Sequence, residues 1–218
     1  MFLIALILSF MLCVGLGVSG KVGITNTQTV RTTYGNNSAP WLIPGVIEAE
    51  NFDEGTPSDP AYHTITPGNQ APPDQYYRTS EVSIGVDHIL GLADVGWIDS
   101  GEWLEYTINV AKTDIYDIGV RIATPLDGKY LHIEFNGADK TGRINAPNTG
   151  CWGSDLHGGH CFQDVTVPGV SLTAGTQRMR VVFDTGLYTV DSFNFMTHTD
   201  NTANQSLGIN LRREKPTR

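Results

Sequence analysis

The stretch Glu102-Trp103-Leu104-Glu105-Tyr106-Thr107-Ile108-Asn109-Val110, followed by Ile115-Tyr116-Asp117-Ile118-Gly119-Val120-Arg121-Ile122-Ala123, decides the fold class. In the first run Leu104, Tyr106, Ile108 and Val110 fall on one face and Trp103, Glu105, Thr107 and Asn109 on the other, the period of two expected of a half-buried strand. Tyr116, Ile118, Val120 and Ile122 repeat it, as do Leu131, Ile133 and Phe135, and again Met179, Val181 and Phe183. The turn dipeptides Asp127-Gly128, Asn136-Gly137 and Ala174-Gly175 separate these runs. No window carries a helical period over ten residues. Many short antiparallel strands within residues 42–196 predict an all-β protein, a two-sheet antiparallel β-sandwich of jelly-roll type.

Composition agrees. Among 218 residues, 14 Lys and Arg stand against 23 Asp and Glu, a formal charge of −9. That balance excludes nucleic acid as a partner, because phosphate binding requires a basic surface that releases counterions. Charged residues make up only 17% of the chain, with 24 Gly and 11 Pro. A coiled coil, a helical bundle and a chain disordered throughout are all disfavoured by those values.

Outside the body, Phe2 to Val18 run without a charge and lead into Ser19-Gly20-Lys21. Length alone leaves a signal peptide and a short membrane anchor both open; the small residues Gly17, Ser19 and Gly20 favour a signal peptide over residues 1–20. The expectation is a secreted, extracellular protein with no membrane contact after cleavage, and Cys13 leaves with the peptide. Residues 21–41 are polar and rich in Thr and Asn, a linker or loosely attached arm. Residues 197–218 read as a polar, disordered tail. Asn36-Asn37-Ser38 and Asn204-Gln205-Ser206 are glycosylation acceptors if the source is eukaryotic. Cys151 and Cys161 flank a Gly-rich segment that contains His157 and His160. A metal site would space its ligands as C-x₂₋₄-C or H-x₃₋₅-H, which this segment does not, so the expectation is one disulfide.

Three segments in order then resemble the carbohydrate-binding modules of family 6: Val46-Ile47-Glu48-Ala49-Glu50-Asn51-Phe52-Asp53; Asp94-Val95-Gly96-Trp97-Ile98-Asp99-Ser100-Gly101-Glu102-Trp103-Leu104-Glu105-Tyr106; and Asn148-Thr149-Gly150-Cys151-Trp152 with the closing Val190-Asp191-Ser192-Phe193-Asn194-Phe195. Ala61-Tyr62-His63, Gly68-Asn69 and Tyr77-Arg78 resemble a subtype found beside glucan- and galactan-degrading catalytic domains. The resemblance implies a jelly roll with a structural calcium ion and a sugar cleft formed by loops at one end.

Glu48 and Glu50 are two apart, so on a strand their carboxylates share a face and repel unless a cation lies between them. The family places these two acids and an acid on the last strand, here Asp191, around calcium. The family's cleft holds a sugar between two aromatics, and the matching positions are Trp97 and Trp152. Aromatic faces suit this task because the axial C–H groups of a pyranose form an apolar patch. Trp103, mid-strand, reads as structural. Two departures stand out. Where the family commonly has a cleft Asn, this chain has Thr189, with Tyr188 beside it; the usual cleft acid falls at Gly85, with Glu81 and Asp87 as displaced candidates. Cys151 replaces a common Gly next to Trp152.

Catalysis by a carboxylate pair would nominate Glu48/Glu50 or Glu102/Glu105. The metal explains the first pair better, and the second, three apart on a strand, faces opposite sides. No nucleophile turn, metal-protease motif or phosphate loop is present. The expected function is a secreted, non-catalytic module for a β-glucan, xylan, agar-type or other plant or algal wall polysaccharide, with a glycoside hydrolase as the expected attached or associated partner. The alternatives are a glycan-active hydrolase of another type and an extracellular adhesive sandwich that no longer binds sugar.

Overall fold

Alternating runs become strands where the pattern places them. The computed structural model describes residues 31–72, 77–87, 92–153 and 161–206. Its strands are β1 (Trp41–Ile43), β2 (Gly45–Glu48), β3 (Tyr62–His63), β4 (Ile84–Asp87), β5 (Leu92–Val95), β6 (Trp103–Val110), β7 (Asp114–Ala123), β8 (Lys129–Phe135), β9 (Ala138–Asp139), β10 (Ile144–Ala146), β11 (Gln163–Leu172), β12 (Gly175–Val182) and β13 (Thr189–Thr197), followed by a helix, α1 (His198–Ser206).

One sheet runs β1-β6-β12-β8-β10, with β3 beside β6 and β9 beside β8; the other runs β11-β7-β13-β5-β4, with β2 on β13. Only the β1–β6 pair is parallel among these ladders. The inward faces interdigitate as the alternation requires. Tyr106, Ile108, Tyr116, Ile118, Val120, Leu131, Ile133, Met179 and Val181 are fully buried, and Tyr106 meets Phe193 edge-on at 5.7 Å across the two sheets. Asn136 and Gly137 both take positive φ (52° and 78°), the two-residue turn whose twist matches the flanking strands β8 and β9.

Both polar flanks differ from expectation where they are described. Residues 31–40 are not a loose arm. Arg31 inserts a side chain only 5% exposed, pairing with Glu105 and with Asp59 at 2.9 Å, and Thr32 exchanges backbone hydrogen bonds with Glu54. The reason is electrostatic: Glu105 and Asp53 are buried on the outer side of β6, and a buried carboxylate needs a counter-charge. At the other end, residues 198–206 form α1 rather than a disordered tail. Asp117, buried on β7, accepts from Asn201 Nδ2 at 2.6 Å and lies 2.8 Å from His198 Nδ1, which ties the helix down. The expected signal peptide, residues 1–20, and residues 207–218 lie outside the described residues. Among the described residues no helix is long and apolar enough to cross a membrane.

Candidate functional site

At one end of the sandwich four connections converge, and they carry both tryptophans singled out in the sequence. Trp97 follows β5 and Trp152 precedes the end of the 148–153 loop; each is 49% exposed. Ile98, next to Trp97, is buried at 1% and anchors the turn, while Trp97 itself takes φ +48°, a region that L side chains visit at a cost.

A relay of hydrogen bonds ties together the connections that carry the two tryptophans. Leu187 N–H donates to the Ile98 carbonyl at 2.9 Å, and the Leu187 carbonyl accepts from Thr124 Oγ1 at 2.9 Å. Thr124 N–H donates to Thr149 Oγ1 at 3.0 Å, Thr149 N–H returns to the Thr124 carbonyl at 2.7 Å, and Thr149 Oγ1 donates to the Cys151 carbonyl at 3.3 Å. Gly186 lets the 184–188 connection close onto the Trp97 turn: a Cβ there would lie 2.5 Å from the Ile98 oxygen. The expected disulfide is present, with the Cα atoms of Cys151 and Cys161 5.9 Å apart. Phe162 packs over Gly153 so closely that a Cβ on that glycine would lie 2.5 Å from the ring.

The other expected cleft residues fare differently. Tyr188 is not at the surface: it is 1% exposed, edge-on to Phe183 at 6.0 Å, with its hydroxyl donating to the Tyr130 carbonyl at 3.2 Å. It directly precedes β13 and packs inward, so it belongs to the core. Thr189 is 5% exposed, and its Oγ1 lies 3.7 Å from where a Gly96 Cβ would be. It packs beneath the Gly96–Trp97 turn. Asp87 ends β4 opposite Leu92; its side chain lies outside the described set. Glu81 is exposed. Opposite Gly85, where the family's acid was expected, the register places Asp94, whose Oδ1 lies 3.9 Å from the same Gly96 position. Asp94 stands in the quoted motif three residues before Trp97, but only the β4–β5 register sets it opposite Gly85.

The three expected calcium ligands come to one edge through strand pairing. Glu48 pairs with Ser192, the neighbour of Asp191, and Glu50 lies in the 3₁₀ turn that follows β2. Glu50 and Asp191 are buried at 4% and 6%. Among the described residues, however, no group of three or more His, Cys, Asp or Glu side chains converges so as to hold a metal. Arg121 Nε stands 3.4 Å from Asp191, and Ser192 Oγ donates to it at 2.9 Å. The chain therefore carries carboxylates of the right type at one edge, with a guanidinium answering one of them.

The remaining carboxylates considered for catalysis are committed to structure. Glu102 accepts from Ile65 N–H at 2.8 Å and Asp99 N–H at 3.0 Å. Glu105 is 1% exposed and takes Arg180 Nε at 2.7 Å in addition to Arg31. Burial pushes the neighbouring Asp53 carboxyl above its ordinary value, against the hydrogen bonds from Thr107 and the charge of Arg31. A hollow of about 390 Å³ opens here, lined by Glu105, Asn136, Gly137, Arg178 and Arg180. Its charges are spent on one another, so its size alone does not make it the site. Trp103 stands beside it on the outer face, with Arg180 4.5 Å above its ring and His63 stacked at 6.3 Å, in keeping with a structural role.

Comparison with known proteins follows the same outline. The sequence model of carbohydrate binding module (family 6) matches residues 73–197. Beta-agarase AgaO of Microbulbifer thermotolerans is 27% identical over 101 residues, which is 45% of this chain and 8% of the agarase; the chain thus spans under a tenth of that relative. Among solved structures, a β-1,3-glucan binding family 6 module from Bacillus halodurans superposes with TM-score 0.50 at 23% identity, covering 73% of this chain and 100% of the other. A family 6 module from Clostridium stercorarium in complex with cellobiose gives TM-score 0.51 at 20% identity, covering 73% and 98%.

Proposed function

The chain belongs to carbohydrate-binding module family 6, a family of non-catalytic binding modules, and on that premise we propose that it is a secreted module that grips a plant or algal wall polysaccharide between Trp97 and Trp152. The observation that carries this reading is the pair of half-exposed indoles on connections tied together by hydrogen bonds. Each ring offers a flat apolar face to the C–H patch of a pyranose, and desolvating both faces at once supplies the binding energy. Asp94 and the loop backbone supply orienting polar groups, as small sites require.

The glycan is a β-glucan or a related gel-forming wall polysaccharide such as agar. The glucan binding named for the Bacillus halodurans module, the cellobiose bound by the Clostridium stercorarium module and the agarase relative all support that range. The work of such a module is proximity: held on an insoluble substrate, it raises the effective concentration of any glycoside hydrolase joined to it or associated with it. Calcium belongs to the same proposal. Glu48, Glu50 and Asp191 are the residues that would hold it, with backbone oxygens completing the shell a hard cation takes, and its charge would brace the β2–β13 edge. A panel of immobilised laminarin, cellulose, xylan and agarose tests the function. Retention on at least one, without release of reducing sugar, is the expected outcome; retention on none contradicts it.

A further inference from the structure

The connection between β12 and β13 carries a residue that the two-indole cleft leaves without a role. Leu187 is 53% exposed and takes φ +67°. Both features are unfavourable for a leucine: the left-handed region crowds its Cβ against the backbone, and an apolar side chain in water gains nothing from burial. The surroundings hold it there. Gly186 is locked against the 98–100 turn, Ser100 Oγ bonds to the Asp184 carbonyl, Leu187 N–H is fixed to Ile98, and the Leu187 carbonyl is fixed to Thr124. Strain maintained by an over-determined backbone, at an exposed position beside a second strained residue (Trp97), points to function.

The Leu187 backbone also links the two connections that carry the indoles. Its amide reaches the Trp97 turn, and its carbonyl reaches Thr124, then Thr149 and the Cys151 carbonyl next to Trp152. We propose that Leu187 is a third apolar wall of the glycan cleft, against which the edge of the stacked pyranose packs. The proposal rests on the two-indole reading above. It also sets a preference. The Leu187 side chain itself offers no hydrogen bond. A ring edge bearing free hydroxyls would lose water there without a new partner, which is costly. An edge presenting C–H groups or an ether linkage would not.

Affinity electrophoresis of the full chain in gels containing laminarin, xylan or agarose tests this, using Leu187→Gly and Leu187→Asn. Both replacements tolerate positive φ, so the melting temperature should stay within about 2 °C of the parent or rise. Affinity for the retarding glycan should fall at least fivefold in both. A residue with a merely structural role would move stability and leave binding alone. Affinity within twofold of the parent in both variants overturns the third wall. Trp97→Ala, run in parallel, separates the two failures: if it loses binding while the Leu187 variants keep it, only the third wall falls; if it also keeps binding, the indole cleft falls. No retardation of the parent chain in any gel removes both.

Discussion

At the residue scale, Trp97 and Leu187 show how this fold positions a side chain by holding its backbone where few residues settle. Elsewhere the decisive groups are charges under cover. His132 on β8 lies 2.8 Å from Asp184 and 3.7 Å from Glu134. Burial opposes its charge, but the hydrogen bond and charge of Asp184, with Asp139 and Glu134, hold its imidazole above the ordinary value of 6.5. A raised folded value means that the pair stabilises the protein fully below the unfolded value. That contribution is lost as pH rises through the folded one. The melting temperature should therefore decline as pH climbs from about 6 through neutrality, and His132→Gln should flatten that slope. A slope unchanged in the variant would show that another group is responsible. Trp97 and Trp152 were nominated by their match to the family's cleft positions, and both are half-exposed on connections between strands. Tyr188, just before β13, and Thr189, its first residue, were expected in the cleft, but both are buried, an orientation that matching positions in a sequence do not fix.

The alternating runs were readable at the scale of elements, since β6, β7, β8 and β12 each bury one face and the period of two records it. The flanks were not, because their order comes from single buried partners far away in sequence. Arg31 is drawn in by Glu105, and α1 is held by Asp117; neither segment has an apolar stripe to announce it. The Cys151–Cys161 loop was legible from spacing, and it makes a direct prediction. Removing the bridge in Cys151→Ser/Cys161→Ser releases a short loop and should lower unfolding free energy by about 2–3 kcal/mol, measured by urea denaturation. The same variant should bind glycan more weakly, because Trp152 adjoins the bridge. Unaltered binding would mean that the Thr124–Thr149 bonds and the Phe162–Gly153 contact suffice to hold Trp152.

For the whole molecule, the sandwich pairs two distant segments at the β2–β13 edge, where Glu48 lies opposite Ser192 and Arg121 Nε stands 3.4 Å from the neighbouring Asp191. If calcium braces that edge, chelation should lower the melting temperature by about 5 °C or more, and added calcium should restore it. A melting temperature indifferent to chelator would assign the counter-charge of Asp191 to Arg121 alone. The proposed cleft lies nearby, since Arg121 stands 5.4 Å over the Phe162 ring that packs on Gly153, and the proposal is simple: two indoles on neighbouring connections hold the sugar. Isothermal titration of the parent, Trp97→Ala and Trp152→Ala with the oligosaccharide of the retained glycan tests it most directly. The account predicts that either substitution abolishes measurable heat of binding while the melting temperature barely moves. Undiminished affinity in both variants would contradict it.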